Sequence, residues 1–284
     1  MSCPFLKEGR AQYCHAAPVG KLILEGPGVS GTSRCMSPEY YRCELVAKEE
    51  ARQQRCPHLE EIHVQYCGVT TPVKLIPFSE SQLSSCTTGG YRYCESYLTL
   101  ARPHGAMAPS ADLLYSANHF WLAVEESGLC HVGIDAFLAD FVGNVDGITF
   151  VTTHGTQRPV IAINVHGMEW PLAFPNPMLI QKVNSHLRGD PGRLTSDPYG
   201  SGWLFSGCEL PGQTRAGLIC GPPAAAWQTE EEERMARSVH ESLQLNCDGG
   251  RPVRGVGQLL SHQQLVCLLQ NFFSDRTWVP KDLS

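Results

Sequence analysis

His119-Phe120-Trp121-Leu122-Ala123-Val124, then Glu125-Glu126-Ser127-Gly128, then Cys130-His131-Val132-Gly133-Ile134 reads as strand, turn, strand. Asp135 follows as an N-cap for a short helix over Ala136–Val142, which Gly143 stops. Gly147–Thr152 is rich in β-formers, and Val160–Val165 and Met178–Val183 continue the pattern. Short strands separated by Gly and Pro predict a small sandwich or barrel here.

The rest of the chain sets bounds on this β region. The 284 residues allow two domains or one large one. Hydrophobic residues at 42% and charged residues at 18% are ordinary for a globular protein, and a net charge of −6 argues against nucleic acid as a partner. No apolar run approaches the length of a membrane span, and the first ten residues hold no apolar signal core. The expected location is the cytoplasm, with no membrane partner. Thirteen cysteines are many for a reducing compartment, and eight of them precede residue 95.

Those eight belong to a duplicated unit. Cys3-Pro4-Phe5-Leu6, Gln12-Tyr13-Cys14, Pro18-Val19, Lys21-Leu22-Ile23, Cys35 and Cys43 form the first copy. Cys56-Pro57-His58-Leu59, Gln65-Tyr66-Cys67, Pro72-Val73-Lys74-Leu75-Ile76, Cys86 and Cys94 form the second. Ten residues separate the first two cysteines of each copy and seven the last two. A unit of about 40 residues usually needs a staple. Cys3, Cys14, Cys35 and Cys43 in one repeat, and Cys56, Cys67, Cys86 and Cys94 in the other, are the candidate ligands. Each quartet suits one tetrahedral zinc or one iron–sulfur cluster. Disulfide or redox thiols and plain burial stay open beside that reading, because no Cys-x-x-Cys knuckle occurs. Leu45–Arg55 reads as a polar helix or linker between the copies, and Ala101–Ser110 as a linker after them.

The β region also carries a family resemblance. His119-Phe120-Trp121, Val132-Gly133-Ile134-Asp135-Ala136-Phe137, Asn184 and above all Asp197-Pro198-Tyr199-Gly200-Ser201-Gly202-Trp203-Leu204-Phe205 resemble the H protein of the glycine cleavage system. The resemblance covers about residues 112–207 and implies a lipoyl-carrier scaffold. In that family the modified lysine lies 17 residues before the Asn, in a hairpin turn. Counting back from Asn184 reaches Gly167, inside Asn164-Val165-His166-Gly167-Met168-Glu169-Trp170. An amide-linked lipoyl group needs a primary amine, and this turn has none. Lys182 lies on the following strand. No lipoate is therefore expected. His166, Met168 and Trp170 stand as a candidate recognition tip, with plain drift of the turn as the alternative. Gly200-Ser201-Gly202 reads as a structural turn rather than a nucleophile elbow.

Nearly 80 residues follow Phe205. Pro222-Pro223 introduces a helix over Ala224–Leu243, with Glu230–Glu233 near its positive end and Trp227, Met235, Val239 and Leu243 as a stripe. Ser261 and Gln264 form a capping-box pattern for a helix over Gln263–Phe273.

The expected fold is α+β, mainly β. A central lipoyl-type sandwich or flattened barrel (112–207) follows a small Cys-rich module (1–100) and a linker (101–111), and precedes a helical extension (208–284). No nucleophile–base pair, phosphate loop or acid pair appears, so the chain reads as a non-enzymatic adaptor with protein partners and a metal-binding module. The alternative is an iron–sulfur protein for electron transfer or redox sensing.

Overall fold

The computed structural model describes residues 2–16, 21–24, 34–46, 55–76, 84–101, 107–212, 215, 217–243 and 254–274. Most of the expected linker at 45–55, and residues 102–106 of the next one, lie outside the described residues. The chain forms two compact units, Met1–Tyr91 and Arg92–Ser284.

The first unit is a four-stranded antiparallel sheet. Its strands are β1 (Leu6–Cys14), β2 (Lys21–Leu24), β3 (Leu59–Cys67) and β4 (Leu75–Ile76), in the order β2-β1-β3-β4. The central pair runs in register from Leu6 opposite Cys67 to Cys14 opposite Leu59, through Arg10 opposite His63. Equivalent residues of the two repeats therefore exchange across a local two-fold axis. β2 pairs Lys21 with Cys14, and beside β3 the Cys67 N–H donates to the Lys74 carbonyl at 2.9 Å. Each hairpin is thus the image of the other.

The second unit opens with α1 (Glu95–Ala101) and continues as two facing sheets. Its strands are β5 (Leu114–Ser116), β6 (Phe120–Val124), β7 (Leu129–Ile134), β8 (Gly147–Phe150), β9 (Gly155–Gln157), β10 (Val160–Val165), β11 (Met168–Ala173), β12 (Met178–Val183), β13 (Phe205–Glu209) and β14 (Leu218–Cys220). The larger sheet runs β14-β5-β6-β7-β13-β12-β9 and the smaller β11-β10-β8. Val132, Ile134, Ile180 and Phe205 of the larger face Phe150, Ile161 and Ile163 of the smaller in one buried cluster. Phe150 and Phe205 meet edge to face at 5.5 Å. This is a sandwich, and neither sheet closes into a barrel.

α2 (Ala136–Val142) begins and ends where expected: the Leu138 N–H donates to Asp135 Oδ1 at 2.9 Å, and Gly143 closes the helix at φ 71°. β6 alternates strictly. Phe120 and Leu122 enter the sandwich core, while Trp121 turns to the outer face among Tyr199, Trp203 and Ala224. Gly133 is required beneath it, since a Cβ there would stand 2.5 Å from the Trp121 ring.

The closing turn is built by Asp197. Its Oδ2 accepts from the Ser201 N–H at 2.6 Å and the Ser201 hydroxyl at 2.9 Å, and its Oδ1 from the Met107 N–H at 2.6 Å. Asn184 donates through Nδ2 to the Ser201 and Trp203 carbonyls, both at 2.8 Å. Trp121 Nε1 donates to the Pro198 carbonyl at 3.1 Å, and the Ala136 N–H donates to Tyr199 Oη at 3.0 Å. The motif that carried the resemblance is therefore a hydrogen-bonded lock over the outer face of the sheet.

α3 (Arg193–Ser196) leads into that turn, and two helices follow β14: α4 (Pro222–Leu243) and α5 (His262–Phe272). Ser261 N–H donates to Gln264 Oε1 at 2.9 Å, as the capping pattern predicts. α4 starts two residues earlier than expected, and with Glu230 eight residues past its first residue, no acidic residue falls in its first turn. Glu230–Glu233 are mid-helix, and the expected dipole role for them does not hold. Met235 and Val239 join the sandwich core together with Leu265, Leu268, Leu269 and Phe272 of α5.

Candidate functional site

Three places concentrate chemistry: the β10–β11 hairpin tip, the cysteine module and a buried polar cluster beneath α4.

At the tip, Val165 pairs with Met168, leaving a loop of two residues, His166 and Gly167. Both have positive φ, 53° and 73°, which is the type I′ turn that matches strand twist. The His166 N–H donates to Asp146 Oδ2 at 3.0 Å and holds the strained His in place. A Cβ on Gly167 would meet nothing within 4 Å, so the position faces open space. The expected tip of His166, Met168 and Trp170 is corrected here. The tight loop returns the chain to β11 at Met168. Trp170 is buried, 5.7 Å from Phe273 edge to face, and Met168 is half-buried. His166 and Gly167 are exposed, flanked by the exposed Asn164 and Glu169 on the strands. Lys182 lies on β12 in the other sheet, its Nζ 5.7 Å from the Trp203 ring centroid.

In the module, Cys14 ends β1, and Cys35 lies in the 3₁₀ turn Arg34–Met36. Cys43 closes the 3₁₀ turn Pro38–Arg42, donating its N–H to the Tyr40 carbonyl at 2.8 Å. Cys56 precedes β3, yet its N–H donates to the Cys35 carbonyl at 3.1 Å. Cys14 and Cys56 are buried with Tyr40, Val46 and Leu59, and Cys35 and Cys43 pack against that cluster. Burial pushes the Cys56 thiol up; the backbone hydrogen bond at His58 opposes this, and the thiols of Cys35, Cys14 and Cys43 add to the rise. The grouping expected by repeat is therefore replaced. Cys56 of the second copy gathers with three cysteines of the first, because antiparallel pairing sets the start of β3 beside the end of β1. In the image half, the Cys3 N–H donates to the Cys86 carbonyl at 2.8 Å, and Cys67 ends β3. Cys94 precedes α1 in the second unit, where its carbonyl accepts from the Leu98 N–H at 2.9 Å. Among the described residues, no three or more His, Cys, Asp or Glu are closed tightly enough to hold a metal ion. The quartet is a gathering of thiols rather than a formed coordination shell.

The third place was not anticipated. His119 is fully buried with φ 66°. Its Nδ1–H donates to Asp135 Oδ2 at 2.8 Å, and its Nε2 faces Glu231 Oε2 of α4 at 3.7 Å. Phe137 and Trp227 stack on the ring at 4.2 and 4.9 Å, and Phe273 meets it edge-on. Burial works to lower the His119 pKa, but the charge and hydrogen bond of Asp135, with Glu231, outweigh it and raise the value. Glu231 also pairs with Arg234 at 2.5 Å, and Arg234 lies 4.1 Å over the Phe272 ring. The cluster pins α4 and α5 onto the start of α2. Its signal in the sequence was faint: Glu231 sits four residues from both Trp227 and Met235, inside the apolar stripe.

His131 behaves oppositely. It is stacked on Tyr93 at 4.0 Å, and burial, aided by Lys182, pushes its pKa down to about 3. Burial pushes the Cys130 thiol up to about 12, which leaves it protonated and unreactive. Among the described residues, no helix is long and apolar enough to cross a membrane.

The sequence profile of the family described as glycine cleavage H-protein matches residues 113–207. The glycine cleavage system H protein of Thermobifida fusca is 35% identical over 105 residues, covering 35% of this chain and 80% of that protein. That of Aeromonas salmonicida is 30% identical over 102 residues, covering 34% and 76%. A solved glycine cleavage system H protein from Mycobacterium marinum aligns over 43% of this chain and 99% of that one, at 23% identity and a TM-score of 0.36.

Proposed function

The chain belongs to the glycine cleavage H-protein family, and from that premise we propose that it is a non-lipoylated member acting as a protein-binding adaptor. One observation carries the reading: the hairpin tip is His166-Gly167, with Gly167 at φ 73° and no amine in the turn. The scaffold around it is kept, from the Asp197 lock to the Asn184 hydrogen bonds. A shape retained without its carrier group serves recognition rather than transfer. The partners implied are proteins that recognise H-protein surfaces. The N-terminal module supplies a second function in this reading, holding a thiophilic metal as zinc or an iron–sulfur cluster. Four clustered cysteines in so small a unit support it.

The test is binding of the immobilised full chain to each of the other glycine cleavage proteins in turn. Saturable binding to at least one, weakened by a bulky label at position 167, is the expected result. Absence of binding to all of them removes the adaptor reading in this form. Anaerobic purification with metal analysis separates zinc from iron–sulfur, and a metal-free module ends the metal reading.

A further inference from the structure

The outer face of the larger sheet carries a cavity of about 410 Å³, and every residue lining it belongs to the second unit. Part of its wall is family scaffold: Leu113, Trp121 and Tyr199. The rest comes from residues 92–110, which precede the matched region. Arg92 and Tyr93 lie just before α1, and Tyr97 lies on it. This added wall is anchored to the scaffold in three places. Glu95 at the start of α1 pairs with Arg193 at 2.7 Å, the Met107 N–H donates to Asp197 at 2.6 Å, and Tyr93 stacks on His131 at 4.0 Å. A space held open this way has the size of a small-molecule site, about 300–1,000 Å³, whereas ordinary packing leaves voids no larger than a water.

The lining selects a ligand by its chemistry. Its aromatic rings, those of Tyr93, Tyr97, Trp121 and Tyr199, suit a planar aromatic body. The polar atoms of two of them are already engaged. Trp121 Nε1 donates to the Pro198 carbonyl, and Tyr199 Oη accepts from the Ala136 N–H and bonds to Tyr115. These two therefore offer ring surface. Rings alone would favour a cation. Arg92 reverses that preference. Among the described residues it is the one charged side chain in the lining, it is exposed, and no carboxylate pairs with it. A guanidinium grips a carboxylate through two parallel hydrogen bonds. Ser110 adds a hydroxyl donor to the same lining. We propose that this cavity is a binding site for a small planar aromatic carboxylate, held by its ring in the aromatic lining and by its carboxylate on Arg92. The β10–β11 tip belongs to the other sheet, so the site is separate from the one on which the adaptor reading rests.

The experiment is calorimetric titration of the full chain with three probes that share one ring system: 2-naphthoate, 2-naphthylmethanol and 2-naphthylmethylammonium. The proposal expects one equivalent of 2-naphthoate per chain, bound at least about tenfold more tightly than the ammonium, with the alcohol between them. Arg92→Gln removes the charge at an exposed position and should bring 2-naphthoate down to the level of the alcohol, whose own binding stays as it was. Ala108→Trp puts a ring into the lining and should abolish binding of all three. A chain that binds none of the probes, or prefers the ammonium, overturns the proposal. So does 2-naphthoate binding that is unchanged in Arg92→Gln or persists in Ala108→Trp. Should Ala108→Trp fail to fold, Arg92→Gln still decides.

Discussion

Replacing Asp135 gives the sharpest test of how the extension is held. Asp135 is fully buried and does two things: it caps α2 through Leu138, and it accepts from His119. Asp135→Ala loses the cap, about 1 kcal/mol, and strands the buried His119 N–H, about 1–3 kcal/mol more. The sum, about 2–4 kcal/mol, is a large share of a typical domain's stability. The pH dependence adds a second readout. The folded pKa of His119 is raised, so its stabilisation is complete below its ordinary value near 6.5 and is lost as pH rises through the folded value. Without Asp135 the main cause of the rise is gone and burial dominates. The penalty of the substitution must therefore be larger at pH 6 than at pH 9. Asp135→Asn keeps a good cap but removes the charge, and should show the pH effect with a smaller loss of stability. Urea unfolding followed by tryptophan fluorescence at both pH values measures it. A penalty below about 1 kcal/mol, or one equal at the two pH values, would refute the reasoning.

Other consequences are independent of that cluster. His131 has a depressed folded pKa of about 3, so stability must fall by about 1.4 kcal/mol per pH unit as pH drops below about 6.5; His131→Phe should flatten the acid limb, and an unchanged limb would contradict the burial argument. Gly133→Ala would drive a Cβ to 2.5 Å from the immobile Trp121 ring and should cost about 1–3 kcal/mol in urea unfolding, whereas a neutral effect would mean the strand can shift. Gly167→Lys meets only open space and should cost no more than about 1–2 kcal/mol of left-handed strain; a larger loss would show that the tip is not free.

Local signals made the sandwich legible. Asp135 and Gly143 bound α2 because capping is a property of neighbouring residues, and β10 and β12 follow from their apolar openings, Val160–Ile163 and Met178–Ile180. β11 was hidden because Pro171 and the charged Glu169 break its pattern; its place is fixed by pairing with β10 rather than by its own sequence. The cysteine grouping was hidden for a related reason. Spacing within a repeat says nothing of which strand lies alongside, so the transfer of Cys56 to the first repeat emerges only with the β1–β3 register. The His119 cluster draws on residues 119, 135 and 231, and no local window holds all three. Its effect is to join the helical extension to the sandwich, which spacing alone left as two neighbouring parts.

The central claim is that an H-protein scaffold persists here without the chemistry of a lipoyl carrier. Co-producing the full chain with a lipoylating enzyme and lipoate, then measuring its intact mass, tests this most directly. The account predicts the unmodified mass, with Gly167→Lys as the companion that supplies an amine at the tip. A lipoyl adduct on the unmutated chain would contradict it.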